Sequence, residues 1–202
     1  MKNILSILLG FLAIFLMYVL YLNIKEPIDF QAVKGERRMK VVDRLEKIRT
    51  AQEVYKMVTG AYAPRFDTLV QVLKTDSVKV VKVFGNADDV RSTEEFREEI
   101  SYTNAMDTLR SILVKNKHTF PNLDSLQYVP YTQGERFSIS ADTLTYQSTL
   151  VNVVEVGTRW KTFMGKYASP SYSKYDNSYD PNRMIKFGDM NAPNLGGNWP
   201  MN

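Results

Sequence analysis

Residues 4–22, ILSILLGFLAIFLMYVLYL, constrain this chain more than any other stretch, because 13 of the 19 are Leu, Ile, Phe or Val and none is charged. Each such residue contributes roughly −0.3 to −0.6 kcal/mol at the centre of a bilayer, so insertion of the whole run is strongly favourable. At a rise of about 1.5 Å per residue the run matches a hydrocarbon core about 30 Å thick, with Tyr18 and Tyr21 as interfacial rings. A cleaved secretory signal has a shorter apolar region, about 7–15 residues, that ends in small residues. Tyr21-Leu-Asn-Ile-Lys stands here instead, so residues 1–25 are expected to be a retained transmembrane anchor.

Orientation is set by two opposing signals. Lys25, Lys34, Arg37, Arg38 and Lys40 follow the run and only Lys2 precedes it, which by the positive-inside rule would hold the remainder in the cytoplasm. Against this, the preceding tail is that of a signal anchor, Glu26 and Asp29 lie nearest the membrane, and long domains cross largely regardless of charge. The expected arrangement is a single pass through the inner (cytoplasmic) membrane with the C-terminal domain outside.

The chain has 202 residues, which leaves about 170 beyond the anchor, enough for one domain with its own core. There is no cysteine, which excludes disulfide frameworks, Cys-ligated zinc, iron–sulfur clusters, thiol nucleophiles and lipid attachment through Cys. The 26 basic and 22 acidic residues form no concentrated basic patch, so nucleic acid is not an expected partner.

Pro27 lacks an N–H and restricts Glu26, so the membrane helix is expected to end or kink there, and residues 26–35, with Gly35 as a second soft point, read as a juxtamembrane linker. From Glu36 the pattern turns helical. Val41, Leu45, Ile48, Ala51 or Gln52, Tyr55 and Val58 recur at three- and four-residue steps, and Gly60 stops the helix. Asp67 is expected to cap a short second helix carrying Leu69, Val70, Val72 and Leu73. Residues 78–84 read as a strand, 86–99 as an acidic loop with a short helical piece, and 100–114 are ambiguous between strand and helix, with helix preferred from Met106, Leu109, Ile112 and Leu113. Four short strands, at 128–131, 136–140, 144–146 and 150–156, are expected to form an antiparallel meander. Together 36–168 make an α+β domain: a long amphipathic helix packed on a small antiparallel sheet. The Tyr-, Asn- and Pro-rich stretch 169–202 reads as an irregular surface segment held by tyrosine contacts, or as a partly disordered tail.

Several residues invite a chemical reading. Residues 176–182 place Asp176, Asp180 and neighbouring amides in a loop, as a calcium site does, although Asx turns explain the same composition. Ser171 and Lys174 have the Ser-x-x-Lys spacing of penicillin-interacting enzymes, but Pro170 and the lack of a Lys-Thr-Gly strand argue against it. His118, the lone histidine, reads as a solvated loop residue. Asp88, Asp89, Glu94, Glu95, Glu98 and Glu99 read as a solvated helix face or loop, with a face for a basic partner as the alternative. Tyr167, Tyr172, Tyr175, Tyr179, Phe187 and Trp199 are expected to pack across the domain's own sheet, with a contact surface for another subunit or a polysaccharide as the alternative. No catalytic residue and no cofactor other than calcium is expected.

The stretch 49–64, RTAQEVYKMVTGAYAP, followed by Phe66-Asp-Thr-Leu, resembles the pilin-like subunits of type IV pili and the pseudopilins of type II secretion. The resemblance implies a helix laid on a small sheet and anchors that bundle inside a filament. The anchor and the first helix, through Val41, Leu45, Ile48 and Tyr55, are expected to provide oligomer contacts. Gly10-Phe11 sits in mid-run and the run holds no acid, so the processing and acid-guided polymerisation of that family are not implied. The expected function is a membrane-anchored structural or assembly subunit of a bacterial envelope machine, acting on other membrane or envelope proteins as a homo- or hetero-oligomer. A tethered binding module for cell-wall ligands and an anchored hydrolase are the alternatives.

Overall fold

The computed structural model describes residues 2–84 and 97–199. The fold is α+β and is threaded by a single helix, α1 (Lys2–Thr59), 58 residues and roughly 87 Å long at 1.5 Å per residue. From Ser6 to Lys25 every face of α1 is exposed, and the run is long and apolar enough to cross a membrane. From Phe30 onward one stripe of the same helix is buried.

The expected linker at 26–35 is therefore corrected: α1 runs through Pro27 and Gly35 without a break. Proline in a helix interior removes one hydrogen bond and costs about 3 kcal/mol. Tertiary contacts on both sides of it, described below, hold the helix and offset that cost. Gly60, at φ +85°, closes the helix as the sequence indicates, with its N–H donating to the Lys56 carbonyl.

Two helices cover one flank of α1. In α2 (Phe66–Thr75), Phe66, Leu69 and Leu73 are buried; in α3 (Ala105–Lys115), Ala105, Leu109 and Leu113 are. Asp67 is not the cap of α2: it lies inside the first turn, 3.3 Å from Arg65, which occupies the cap position without a side-chain bond. Asn104 does cap α3, accepting from the Met106 N–H at 2.8 Å. Between these helices β1 (Ser77–Phe84) and β2 (Arg97–Asn104) form an antiparallel ribbon in the register Ser77↔Asn104 to Phe84↔Arg97. Of residues 100–114, ambiguous in sequence, 100–104 are thus strand and 105–114 helix, and most of the expected acidic loop lies outside the described residues.

The other flank is a three-stranded sheet in the order β3-β4-β5. Strand β3 (Ser138–Tyr146) is continuous through Ala141-Asp142, where a turn was expected. It pairs with β4 (Thr149–Arg159) through the two-residue loop Gln147-Ser148, both residues at positive φ, which matches the right-handed twist of the strands. Residues 128–131 form no strand; Tyr128 makes only an isolated bridge to Arg136. After β4 the chain forms α4 (Trp160–Met164), short turns at 165–167 and 170–175, and then β5 (Met184–Gly188), which pairs with the C-terminal half of β4. The stretch 169–202, expected to be irregular, thus supplies the third strand.

The core lies where α1 meets both flanks. Val41, Leu45, Ile48, Ala51 and Val54 of α1 are fully buried against α2, α3 and the sheet residues Val154, Val156, Ile185 and Phe187. Val41, Leu45 and Ile48, expected to make oligomer contacts, are instead enclosed by the chain itself, while Tyr55 is partly buried against the same core and keeps some exposure. Gln52 is equally buried, and its amide donates to the Ala63 carbonyl at 3.0 Å and accepts from the Ala63 N–H at 2.9 Å. Without that pairing the turn after Gly60 would bury two unsatisfied backbone groups.

Candidate functional site

The densest set of specific contacts lies where the exposed run of α1 gives way to the buried one. Glu26, Phe30, Lys34 and Arg37 recur at helical spacing and so share one face. Each is held by the segment that follows β4. The Tyr175 hydroxyl donates to Glu26 Oε2 at 2.5 Å, Gln31 Nε2 donates to the Tyr175 carbonyl at 3.3 Å, Lys34 pairs with Asp176, and Arg37 Nη1 donates to the Phe163 carbonyl at 2.5 Å.

Phe30 is the centre of this clasp and is fully buried. Tyr179 and Tyr167 meet it edge-on at centroid distances of 5.1 and 5.7 Å, and Tyr172 stacks on it at 5.4 Å. These are the favourable arrangements of aromatic pairs, each adding about 0.5–1.5 kcal/mol beyond area burial. Trp160 extends the cluster, edge-on to Tyr179 at 6.0 Å, with Lys34 over its ring at 5.8 Å. The Tyr179 hydroxyl donates to the buried Tyr167 carbonyl at 2.7 Å, and burial, with Asp180 nearby, pushes its pKa up to about 12. Beside the clasp, Lys34, Arg38, Arg183, Trp160 and Trp199 help to line a cavity of about 250 Å³.

The sequence's chemical candidates take other roles here. Asp176 is committed inside the chain: one oxygen pairs with Lys34 and the other accepts from the Ser178 N–H at 2.8 Å and Oγ at 2.6 Å. Lys34 and then Ser178 hold its carboxyl far below the usual carboxylate range. Asp180 accepts from the Asn182 N–H at 2.8 Å in a second Asx turn. The structure thus uses the 176–182 oxygens as turn and clasp bonds, and among the described residues no group of three or more His, Asp or Glu side chains is placed to hold a metal.

Ser171 Oγ shares a hydrogen bond with Ser169 Oγ at 2.9 Å, and Lys174 lies over the Tyr175 ring at 4.5 Å. Hydrogen bonding with Tyr175 raises the Lys174 pKa, the reverse of what a general base needs. The acidic residues Asp88, Asp89, Glu94 and Glu95 lie outside the described residues, and Glu99 is exposed on β2. Phe187 and Trp199 are buried in the domain's own core.

His118 is not a solvated loop residue. Its Nδ1 lies 3.0 Å from Asp43 Oδ1 and its Nε2 3.5 Å from Glu46 Oε2, while Lys47 bonds both Asp43 and Thr119. Burial pushes the Asp43 carboxyl up, but the bonds from Lys47 and His118 outweigh it and leave its pKa below the ordinary value. The group ties the loop after α3 to α1.

The Lys34–Asp176 pair gives the clasp a pH dependence. Both side chains are less than one-fifth exposed, so Asp176→Asn, which leaves Lys34 without its counter-charge, is expected to cost about 1–3 kcal/mol at neutral pH. A carboxyl with a depressed folded-state pKa stabilises the fold above its unfolded value, near about 4, and loses that contribution as pH falls below it. Urea unfolding in detergent between neutral and acid pH should therefore show the wild-type midpoint converging on that of Asp176→Asn below about pH 4. A constant gap across that range would show that the pair does not carry the clasp.

Compared with protein-family models, with curated proteins and with solved structures, the chain matches none of them.

Proposed function

We propose that this chain is a single-pass, membrane-anchored assembly subunit of a bacterial envelope complex, with its α+β domain outside the inner membrane and its work done through protein contacts. The observation that carries the reading is α1 itself. One unbroken helix is exposed and apolar through residues 6–24 and then becomes the central core element of the folded domain, so anchor and domain form one lever with no linker between them. An enzyme merely tethered to a membrane has no need of such coupling; a subunit whose height and orientation over the bilayer must be fixed does. The clasp serves the same end, since it locks the helix at the proline where it would otherwise bend. The order of anchor, core helix, short helix and antiparallel sheet keeps the resemblance to pilin-like subunits as part of this proposal. The apolar run holds no acid, which fits a non-polymerising member of such an assembly.

The test is co-isolation from detergent extracts. Photo-crosslinkers at exposed positions of the anchor, such as Phe11, Phe15 and Leu20, are expected to capture one or a few membrane proteins, and replacing the rest of residues 4–22 by an unrelated leucine–alanine span should abolish that capture while the domain remains folded. Recovery of lipid adducts alone at all three positions would overturn the assembly reading. A reporter active only outside the cytoplasm, fused after Asn202, is expected to be active; its silence would reverse the orientation.

A further inference from the structure

Strand β4 is eleven residues long, but its two edges are not equally covered. β3 pairs with it from Thr149 to Gly157, whereas β5 reaches only Glu155 to Arg159. The chain leaves β4 at Gly188, whose N–H turns to the Gly196 carbonyl at 3.1 Å. Among the described residues, one edge of the sheet is therefore open along 149–154.

The hairpin fixes which groups face that edge. A two-residue loop makes Tyr146↔Thr149 a hydrogen-bonded pair, so alternate residues of β4 from Thr149 point their N–H and C=O at β3. Leu150 and Asn152 point theirs at the open side, and neither backbone makes a bond outside the strand ladder among the described residues. The Asn152 side chain donates to the Gly60 carbonyl at 2.8 Å, which fixes this edge against the end of α1.

A cavity of about 400 Å³ runs beside the edge, walled by residues 150–154 on one side and 193–195 on the other, with Lys56 and Tyr62 between them. The opposite wall does not pair with β4: Asn194 N–H bonds the Ala192 carbonyl, and Gly196 N–H bonds Asn194 Oδ1. Proteins usually protect an open edge with charge, proline or a bulge. Residues 150–154, LVNVV, carry none of these charges or prolines, and Leu150 is 75% exposed.

We infer that this edge receives an extended segment of another protein as an added strand, antiparallel to β4 and in line with β5, with an apolar side chain in the cavity and a carboxylate at Lys56. Main-chain bonding at Leu150 and Asn152 supplies the affinity, and the cavity and lysine the selectivity. Lys56 is suited to that role because its Nζ lies 4.6 Å from the Tyr62 ring centroid and has no carboxylate partner among the described residues. A second copy does not fit. β4 starts beside Gly60 and ends beside Lys34 and Trp160, so it points along α1 toward the anchor. Two copies in one membrane present β4 in the same direction and cannot pair it antiparallel across a two-fold axis. The inference rests on the membrane-anchored assembly reading for the source of the strand and for the exclusion of a second copy.

The test needs no natural partner. Full-length chain in detergent micelles is mixed with the acetylated, amidated peptide Thr-Val-Glu-Val-Thr-Val at millimolar concentration, and amide hydrogen exchange is read residue by residue. The expected result is about tenfold slower exchange at Leu150 and Asn152. The same peptide N-methylated at alternate amides should give no slowing, nor should the plain peptide on Asn152→Pro, which removes an outward N–H while sparing the β3 ladder. Lys56→Glu should weaken the effect several-fold. Because the N-methylated peptide uses the native chain, misfolding of Asn152→Pro would leave the test intact. No slowing with the plain peptide, or equal slowing with the methylated one, overturns the inference. So does protection before any peptide is added, which means that the chain covers its own edge, or protection that rises with chain concentration, which means a second copy. Failure here leaves crosslinking through the anchor unaffected, so the two proposals fall separately.

Discussion

Phe30→Ala is expected to cost about 3–5 kcal/mol and to release the bend that Pro27 favours. The first part follows from burial: Phe30 is fully buried among the rings of Tyr167, Tyr172, Tyr175 and Tyr179, of which Tyr175 and Tyr179 are held by hydrogen bonds to Glu26 and to the Tyr167 carbonyl, which limits collapse into the space. The second follows from position. Pro27 lacks the hydrogen bond that would continue the helix, and the contacts of Glu26, Phe30 and Lys34 hold the two halves in line across it. Spin labels at Met17 and Met39, both exposed, should give a narrow distance distribution near roughly 33 Å in the wild type at 1.5 Å per residue. In Phe30→Ala that distribution should broaden toward shorter distances, and adding Pro27→Ala should narrow it again without restoring the lost stability. A distribution that stays narrow in the single variant would mean that the helix needs no clasp.

The same pair of residues shows where local reading of the sequence stops. The stripe from Val41 to Val58 is legible because periodicity is a property of neighbours, and the structure buries it as the spacing dictates. Phe30 extends that stripe, and Glu26, Phe30, Lys34 and Arg37 already stand at helical steps. The local rule for Pro27 nonetheless makes their segment a linker, because the tyrosines that overrule it arrive more than a hundred residues later. Local rules set a cost, and tertiary burial decides whether it is met.

Strands show a similar division. The Gln147-Ser148 turn is legible between two β-rich runs, while Ala141-Asp142 resembles a turn and is not one, since pairing to Val153 and Val154 carries β3 through it. β5 is five residues inside an Asn- and Pro-rich stretch, with only Ile185 and Phe187 alternating around Lys186 to mark it. Asp176 and His118 look available in sequence because their partners Lys34 and Asp43 lie far away along the chain. The β4 edge carries no motif at all. It exists because β5 ends at Gly188, which is a fact of register and not of composition.

Gly188→Ala should therefore be among the most damaging small substitutions in the chain, at about 3–5 kcal/mol. Gly188 sits at φ +80°, and a Cβ there would lie 1.9 Å from the Val154 carbonyl oxygen and 2.9 Å from its carbon, both backbone atoms of the central strand. The left-handed conformation alone costs a non-glycine residue about 1–2 kcal/mol. The remainder comes from displacing β5 or β4, and with it Phe187 and Val154 from the core. Gly134→Ala separates the two terms, because Gly134 is at φ +103° with nothing within 4 Å of the added carbon and should lose only about the conformational part. Urea midpoints of the two variants, measured at equal chain concentration in the same detergent, should differ by about 2 kcal/mol or more in stability. Equal losses would mean that β4 and β5 do not approach so closely at Gly188, and that the point where β5 departs from β4 is not fixed there.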